Sequence, residues 1–87
     1  MTTTRTDTLN FIEDQAACTA VAFTYRNAGG NRMNYKTEWA TLITLATDAA
    51  SAGVPPIAIK RAAARGELRT SFVETLYAIA KDAHNPR

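Results

Sequence analysis

The chain has 87 residues, of which 46% are hydrophobic and 21% are charged. This composition is typical of a folded globular protein, and the length allows one small domain with a modest core. Large enzyme folds such as the TIM barrel and the dinucleotide-binding sheet are excluded by length. The formal net charge is +2 at pH 7. The electrostatic field of so small a charge does not by itself indicate a binding partner.

No apolar run approaches the roughly 18 residues that a membrane-spanning helix needs, and residues 1–8 lack the apolar segment of a secretory signal. We therefore expect a cytoplasmic protein without a membrane role. The only cysteine, Cys18, and the only histidine, His84, cannot supply an internal disulfide or a structural zinc site. We expect no metal and no cofactor. Because no catalytic group has a visible partner, we expect no enzymatic activity.

The first helix is predicted to begin at Asp7 or at Asn10, which forms a capping box with Glu13, and to run to about Arg26. The glycine-containing segment 27–31 predicts its end. Its main apolar face consists of Leu9, Ile12, Ala16, Ala20 and Phe23. A second apolar stripe consists of Phe11, Cys18, Val21 and Tyr25. The pattern predicts a helix covered on two sides, with a buried Cys18 thiol, and leaves open whether core or a second copy covers the stripe.

The second helix is predicted over about residues 35–52, with Gly53 after it. Its apolar face consists of Trp39, Leu42, Ile43, Ala46, Ala49 and Ala50. The third helix is predicted to begin at Pro56, because a proline in the first turn removes no N–H that the helix needs. It runs to Arg65, and Gly66 follows it.

The fourth helix has two possible starts. A capping box at 71–74 indicates one, and the apolar spacing indicates an earlier start near Glu67. The helix is predicted to end at Asn85. No segment shows the alternation that strands require. The sequence therefore predicts an all-α fold with a flexible N-terminus over residues 1–6 and a single helical domain over residues 7–85.

The positive charge is concentrated in residues 53–70, which contain four Lys or Arg against one Asp or Glu. The cations are Lys60, Arg61, Arg65 and Arg69. Clustered cations displace counterions from nucleic acid and bind its phosphates. On charge alone, however, a solvated helix face is the more common interpretation.

The turn between the second and third helices follows a known spacing. Ala49 lies four residues before Gly53, Val54 follows the glycine, and Ile59 lies six residues after it. This spacing resembles the helix-turn-helix of bacterial and phage DNA-binding proteins. In that motif the alanine allows a close crossing, the glycine makes the turn, and the two hydrophobes anchor the second helix. The predicted domain therefore has four helices and contains a helix-turn-helix-like pair.

The resemblance spans residues 45–64, and residues 65–68 are similar to the end of the recognition helix in excisionase and MerR-type proteins. It implies that the third helix enters the major groove of double-stranded DNA. The residues implied for DNA contact are Ile57, Lys60, Arg61, Arg65 and Arg69. Arginine suits this role because it binds guanine through two hydrogen bonds.

Two functional hypotheses follow. The first is a small DNA-binding protein, a transcriptional regulator or accessory factor of the phage or plasmid type, which acts as a homodimer through the first helix. The alternative is a helical protein-binding module, a small inhibitor or adaptor without a nucleic-acid role, whose aromatic side chains dock on a protein partner.

Overall fold

The computed structural model describes residues 5–24 and 35–85. These residues form four helices, which are α1 (Arg5–Thr24), α2 (Tyr35–Ser51), α3 (Pro56–Arg65) and α4 (Thr70–His84). No strand occurs within the described ranges, so the predicted all-α fold is confirmed. Tyr25, Arg26 and the predicted stop at 27–31 lie outside them.

The helices surround one small core in the order α1, α2, α4, α3. Helices α1 and α4 each pack against both α2 and α3, whereas α2 and α3 meet only near the turn that joins them. The largest fully buried apolar side chains are Ile12, Leu42, Ile59 and Leu76. Most of the remaining core is alanine, which lets helix axes approach closely because the spacing depends on the side chains at the contact. The α2–α3 pair is compatible with the predicted helix-turn-helix.

Two residue pairs make polar contacts between helices. Gln15 Nε2 of α1 donates to the Glu38 carbonyl oxygen at 3.0 Å and to its Oε1 at 2.8 Å. At the other end of α2, His84 Nδ1 lies 3.2 Å from the Ala50 carbonyl oxygen, which belongs to the last turn of that helix. These contacts join α2 to α1 and to α4.

Both predicted capping boxes are wrong. Helix α1 begins at Arg5, so both predicted caps lie inside it, and Asp7 occupies the first turn, where a negative charge favours the helix dipole. Helix α4 begins after Arg69, so Ser71 is also inside the helix. Leu68, which is buried, sets the path of the chain into α4. A side-chain cap contributes only about 1 kcal/mol, and burial of a leucine contributes more.

Helix α2 ends in a Schellman motif. The Val54 N–H donates to the Ala49 carbonyl at 3.0 Å, and the Gly53 N–H donates to the Ala50 carbonyl at 3.1 Å. Gly53 has a φ of +107°, which only glycine adopts easily. The motif satisfies carbonyl groups at the helix end and places the buried Val54 against the core.

Helix α3 ends with the same hydrogen bonds but without glycine at the left-handed position. The Leu68 N–H donates to the Ala63 carbonyl at 3.4 Å and the Glu67 N–H donates to the Ala64 carbonyl at 3.0 Å. Here Glu67 has the positive φ, 64°, whereas the preceding Gly66 has a φ of −79°. Gly66 serves a different purpose, because it is buried against the backbone of α1.

Candidate nucleic-acid interface

Helix α3 has one buried side and one exposed side. Ile59 and Ala62 are fully buried. On the opposite side Ile57, Arg61 and Ala64 are exposed, and their spacing of four and three residues places them on one face. The helix therefore presents an outward face, defined by Ile57, Arg61 and Ala64.

Lys60 lies at the edge of this outward face that borders α4. Its Nζ is 3.2 Å from Glu74 Oε2, and it stands 4.8 Å from the centroid of the Tyr77 ring. The Lys60 side chain is 31% exposed, which is less than the full exposure that a free helix position would show. Lys60 is therefore held against α4, and it reaches the outward face only at its margin.

Arg65 lies at the opposite edge, which borders α1. Its Nε donates to Glu13 Oε1 at 2.9 Å. The Arg65 side chain is still 52% exposed, and the contact uses one of the five N–H donors of the guanidinium group. An exposed ion pair of this kind contributes little to stability. It does orient Arg65 beside the outward face.

Arg61, at the centre of the outward face, makes no ion pair with any residue that the structure describes. It is also exposed. Of the cations predicted on α3, it is the one without a carboxylate partner. Its guanidinium group is therefore available for a bidentate contact with a ligand.

Arg69 does not lie on α3 at all. It precedes the first residue of α4, and its guanidinium carbon stands 5.1 Å from the centroid of the Phe23 ring of α1. Phe23 belongs to a cluster of edge-packed and tilted rings with Tyr35, Trp39 and Phe72. The structure thus brings four of the five predicted contact residues together on α3 and places Arg69 at the aromatic cluster.

Sequence reasoning missed the groups that surround these cations. Glu13 and Glu74 pair with predicted contact residues, and Tyr77 carries a second cation, Lys81, whose Nζ lies 4.6 Å from the ring centroid. The spacing of Tyr77 and Lys81, four residues apart on one helix, predicts that they are neighbours. No local signal shows that this pair faces α3.

The second apolar stripe of α1 faces solvent. Phe11 is 57% exposed and Val21 is 48% exposed. Cys18, between them, is also exposed, so the expectation of a buried thiol is wrong. The physical reason is that α1 packs mainly on α2 and α3 and reaches α4 through the contact of Phe23 with Phe72, and these contacts lie on the side of its buried residues Ile12 and Ala16. The stripe of Phe11, Cys18 and Val21 is exposed, with Glu38 of α2 at its margin.

In the described part of the chain, no helix is long and apolar enough to cross a membrane. Nor does any group of three potential ligand side chains there offer a metal site. Comparison of the chain with protein-family models, curated proteins and solved structures finds no match in any of the three.

Proposed function

We propose that this protein binds double-stranded DNA by laying the outward face of α3 in the major groove. The observation that carries the proposal is that Arg61 is exposed and unpaired at the centre of a helix face flanked by two further cations. Clustered cations on one exposed helix provide the electrostatic attraction that DNA binding requires.

The dimensions of α3 support this function. Its 10 residues span about 15 Å, and a helix with its side chains is roughly 10–12 Å wide, which matches the width of about 12 Å of the major groove. The N-cap residue of α3 is Pro55, which makes no side-chain capping hydrogen bond, so the first N–H groups of the helix have no side-chain cap. We assign base contacts to Arg61 and Ile57, because both are exposed on the outward face.

The other predicted residues have different roles in this proposal. Lys60 and Arg65 lie at the two edges of the outward face and contact phosphates on either side of the groove. Arg69 contributes to the general positive potential from the start of α4. In this scheme the protein is a transcriptional regulator or accessory factor of the phage or plasmid type.

The test is Arg61→Ala, measured by fluorescence anisotropy against duplexes that differ in sequence, at several salt concentrations. If Arg61 reads a base, its preferred duplex should lose about 1–3 kcal/mol of binding free energy relative to the others. Lys36→Ala is the comparison for loss of charge alone, because it removes one positive charge from an exposed position of α2 and should affect every duplex equally, even if Lys36 contacts a flanking phosphate. Equal affinity of wild type and Arg61→Ala for every duplex would refute the proposal.

We further propose that the protein acts as a homodimer through the exposed stripe of α1. Two copies related by a twofold axis would bury Phe11 and Val21 and present two α3 helices to two half-sites. Phe11→Ser with Val21→Ser should convert the dimer to monomer in analytical ultracentrifugation and weaken DNA binding. A wild-type protein that stays monomeric at all concentrations would contradict this arrangement.

The same stripe favours a second candidate function, a helical protein-binding module. Exposed aromatic and aliphatic side chains on one helix face are typical of docking surfaces. Phe11 is the aromatic side chain best placed for this, because Tyr35 packs against Phe23 and Phe72. If this function is correct, wild type and Arg61→Ala should bind DNA equally weakly, and Phe11→Ser should abolish capture of a protein partner.

A further inference from the structure

Tyr77, on the side of α4 that faces α3, holds two lysine ammonium groups. Lys60 Nζ lies 4.8 Å from the ring centroid and Lys81 Nζ lies 4.6 Å from it. Glu74 Oε2 is 3.2 Å from Lys60 Nζ. We call these residues, Lys60, Glu74, Tyr77 and Lys81, the lysine–tyrosine cluster. Two lysines against one glutamate leave it with a positive net charge.

We propose that the lysine–tyrosine cluster binds a backbone phosphate of the DNA whose major groove α3 enters. The contact surface then extends from α3 onto α4, and Lys81 becomes a DNA-binding residue. This inference rests on the proposed function, and it adds the residues that determine how the protein is positioned on the duplex.

The chemistry of the cluster suits an anion. The face of an aromatic ring attracts ammonium groups, so Tyr77 holds two positive charges within 5 Å of its ring centroid. Lys81 is exposed, and no described carboxylate pairs with it. A phosphate group offers several acceptor oxygens, so it can accept charge-assisted hydrogen bonds from more than one ammonium group.

The position of the cluster favours a DNA phosphate. Packed helices have axes about 8–10 Å apart, so with α3 in the groove, α4 lies above the sugar-phosphate strand that borders it. The opposite flank is less suitable, because Glu13 and Asp14 of α1 accompany Arg65 there. Electrostatics therefore favour the α4 side for the additional phosphate contact.

Glu74 limits this contact. A phosphate oxygen bonded to Lys60 Nζ would lie at most about 6 Å from Glu74 Oε2, which is within the Debye length of about 8 Å at physiological salt. Lys60 must also exchange its ion pair for the phosphate. Neutralising Glu74 should therefore strengthen DNA binding, on the order of threefold at low salt.

The experiment compares wild type, Lys81→Ala, Lys81→Arg and Glu74→Gln in anisotropy titrations of two duplexes of unrelated sequence between low and physiological salt. Lys81→Ala should weaken binding to both duplexes by the same factor and reduce the slope of log K against log salt by about one. Lys81→Arg keeps the charge and should retain the wild-type slope. Thermal melting of each variant verifies that it is folded.

Asp48→Asn is the control for Glu74→Gln. It also removes one negative charge, but Asp48 is exposed on α2 and belongs to neither α3 nor α4. Glu74→Gln should therefore strengthen binding more than Asp48→Asn does. Equal effects of the two variants would overturn the role of Glu74.

The result for Arg61→Ala separates this inference from the proposed function. If Arg61→Ala weakens binding while Lys81→Ala leaves both affinity and salt slope at wild-type values, the cluster does not bind phosphate and the inference is wrong. If neither substitution changes the affinity of a wild-type protein that binds only weakly, the proposed function itself fails, and the inference fails with it.

Discussion

Replacing Gly66 by alanine should destabilise the protein, because the added methyl group has no space. A Cβ at Gly66 would lie 2.6 Å from the Glu13 carbonyl oxygen and 2.9 Å from the Ala16 Cβ, whereas ordinary van der Waals contact begins at 3.4 Å. Both atoms belong to α1, and a helical carbonyl oxygen cannot rotate out of the way. Helix α1 must therefore move away from the end of α3 by several tenths of an ångström.

Two opposing effects determine the magnitude. The backbone of Gly66, with a φ of −79° and a ψ of 4°, is accessible to alanine, so the substitution restricts the unfolded chain and stabilises the fold by about 0.4–1 kcal/mol. Overpacking costs about 1–3 kcal/mol, and it dominates because a backbone atom is involved. We expect a net loss of roughly 1–2 kcal/mol, which lowers the melting temperature by roughly 5–15 °C in a domain of this size.

Circular dichroism melts and urea titrations measure this loss, and Gly53→Ala provides the contrast. No heavy atom lies within 4 Å of a Cβ at Gly53, so that substitution destabilises only through the φ of +107°. Ala16→Gly removes one of the atoms that a Cβ at Gly66 would meet. It should therefore partly relieve Gly66→Ala in a double-mutant cycle and have no such effect on Gly53→Ala.

A Gly66→Ala protein that melts at or above the wild-type temperature would refute this reasoning. Strict additivity of Ala16→Gly and Gly66→Ala would also contradict it, because the two side chains would then not compete for the same space.

The left-handed position after α3 provides another prediction. Glu67→Gly should raise the free energy of unfolding by roughly 0.5–1 kcal/mol in urea titrations. An L-residue at positive φ costs about 1–2 kcal/mol, and the greater flexibility of unfolded glycine offsets part of the gain. A lower stability would show that the Glu67 side chain contributes more than its backbone conformation costs. At the turn between α2 and α3, Ala49→Leu should lower stability by about 1–3 kcal/mol, because Ala49 is 4% exposed within the core and a larger side chain overpacks it. An unchanged melting temperature for Ala49→Leu would mean that the core can open there without cost.

The sequence determined that the chain is helical and which side of α3 is buried. Helix periodicity is a local property, so the pattern around Ile59 and Ala62 predicts which side of α3 is buried, and Pro56 and Gly53 mark the turn before it. The helix starts were less predictable. Capping preferences are worth about 1 kcal/mol, and in α4 the burial of Leu68 decides where the helix begins.

Only the tertiary structure decided which apolar face of α1 is covered. Both of its stripes satisfy the helical period, and the side on which α2 and α3 pack determines that Ile12 and Ala16 are buried while Cys18 and Phe11 face solvent. The same holds for Gly66. Gly66 allows α1 to pack closely against the end of α3, and the backbone it contacts there, at Glu13, is far from Gly66 in the sequence.

The candidate interface also has features that the sequence predicts and features that only the tertiary structure shows. Residue type and spacing predict the cations of α3, but not their partners, because an ion pair such as Arg65–Glu13 joins residues 52 positions apart. Nothing local to α4 shows that Lys81 and Lys60 share the Tyr77 ring. The charge of a segment can be counted from its sequence, whereas the charge that a ligand meets also depends on the side chains that folding brings beside it.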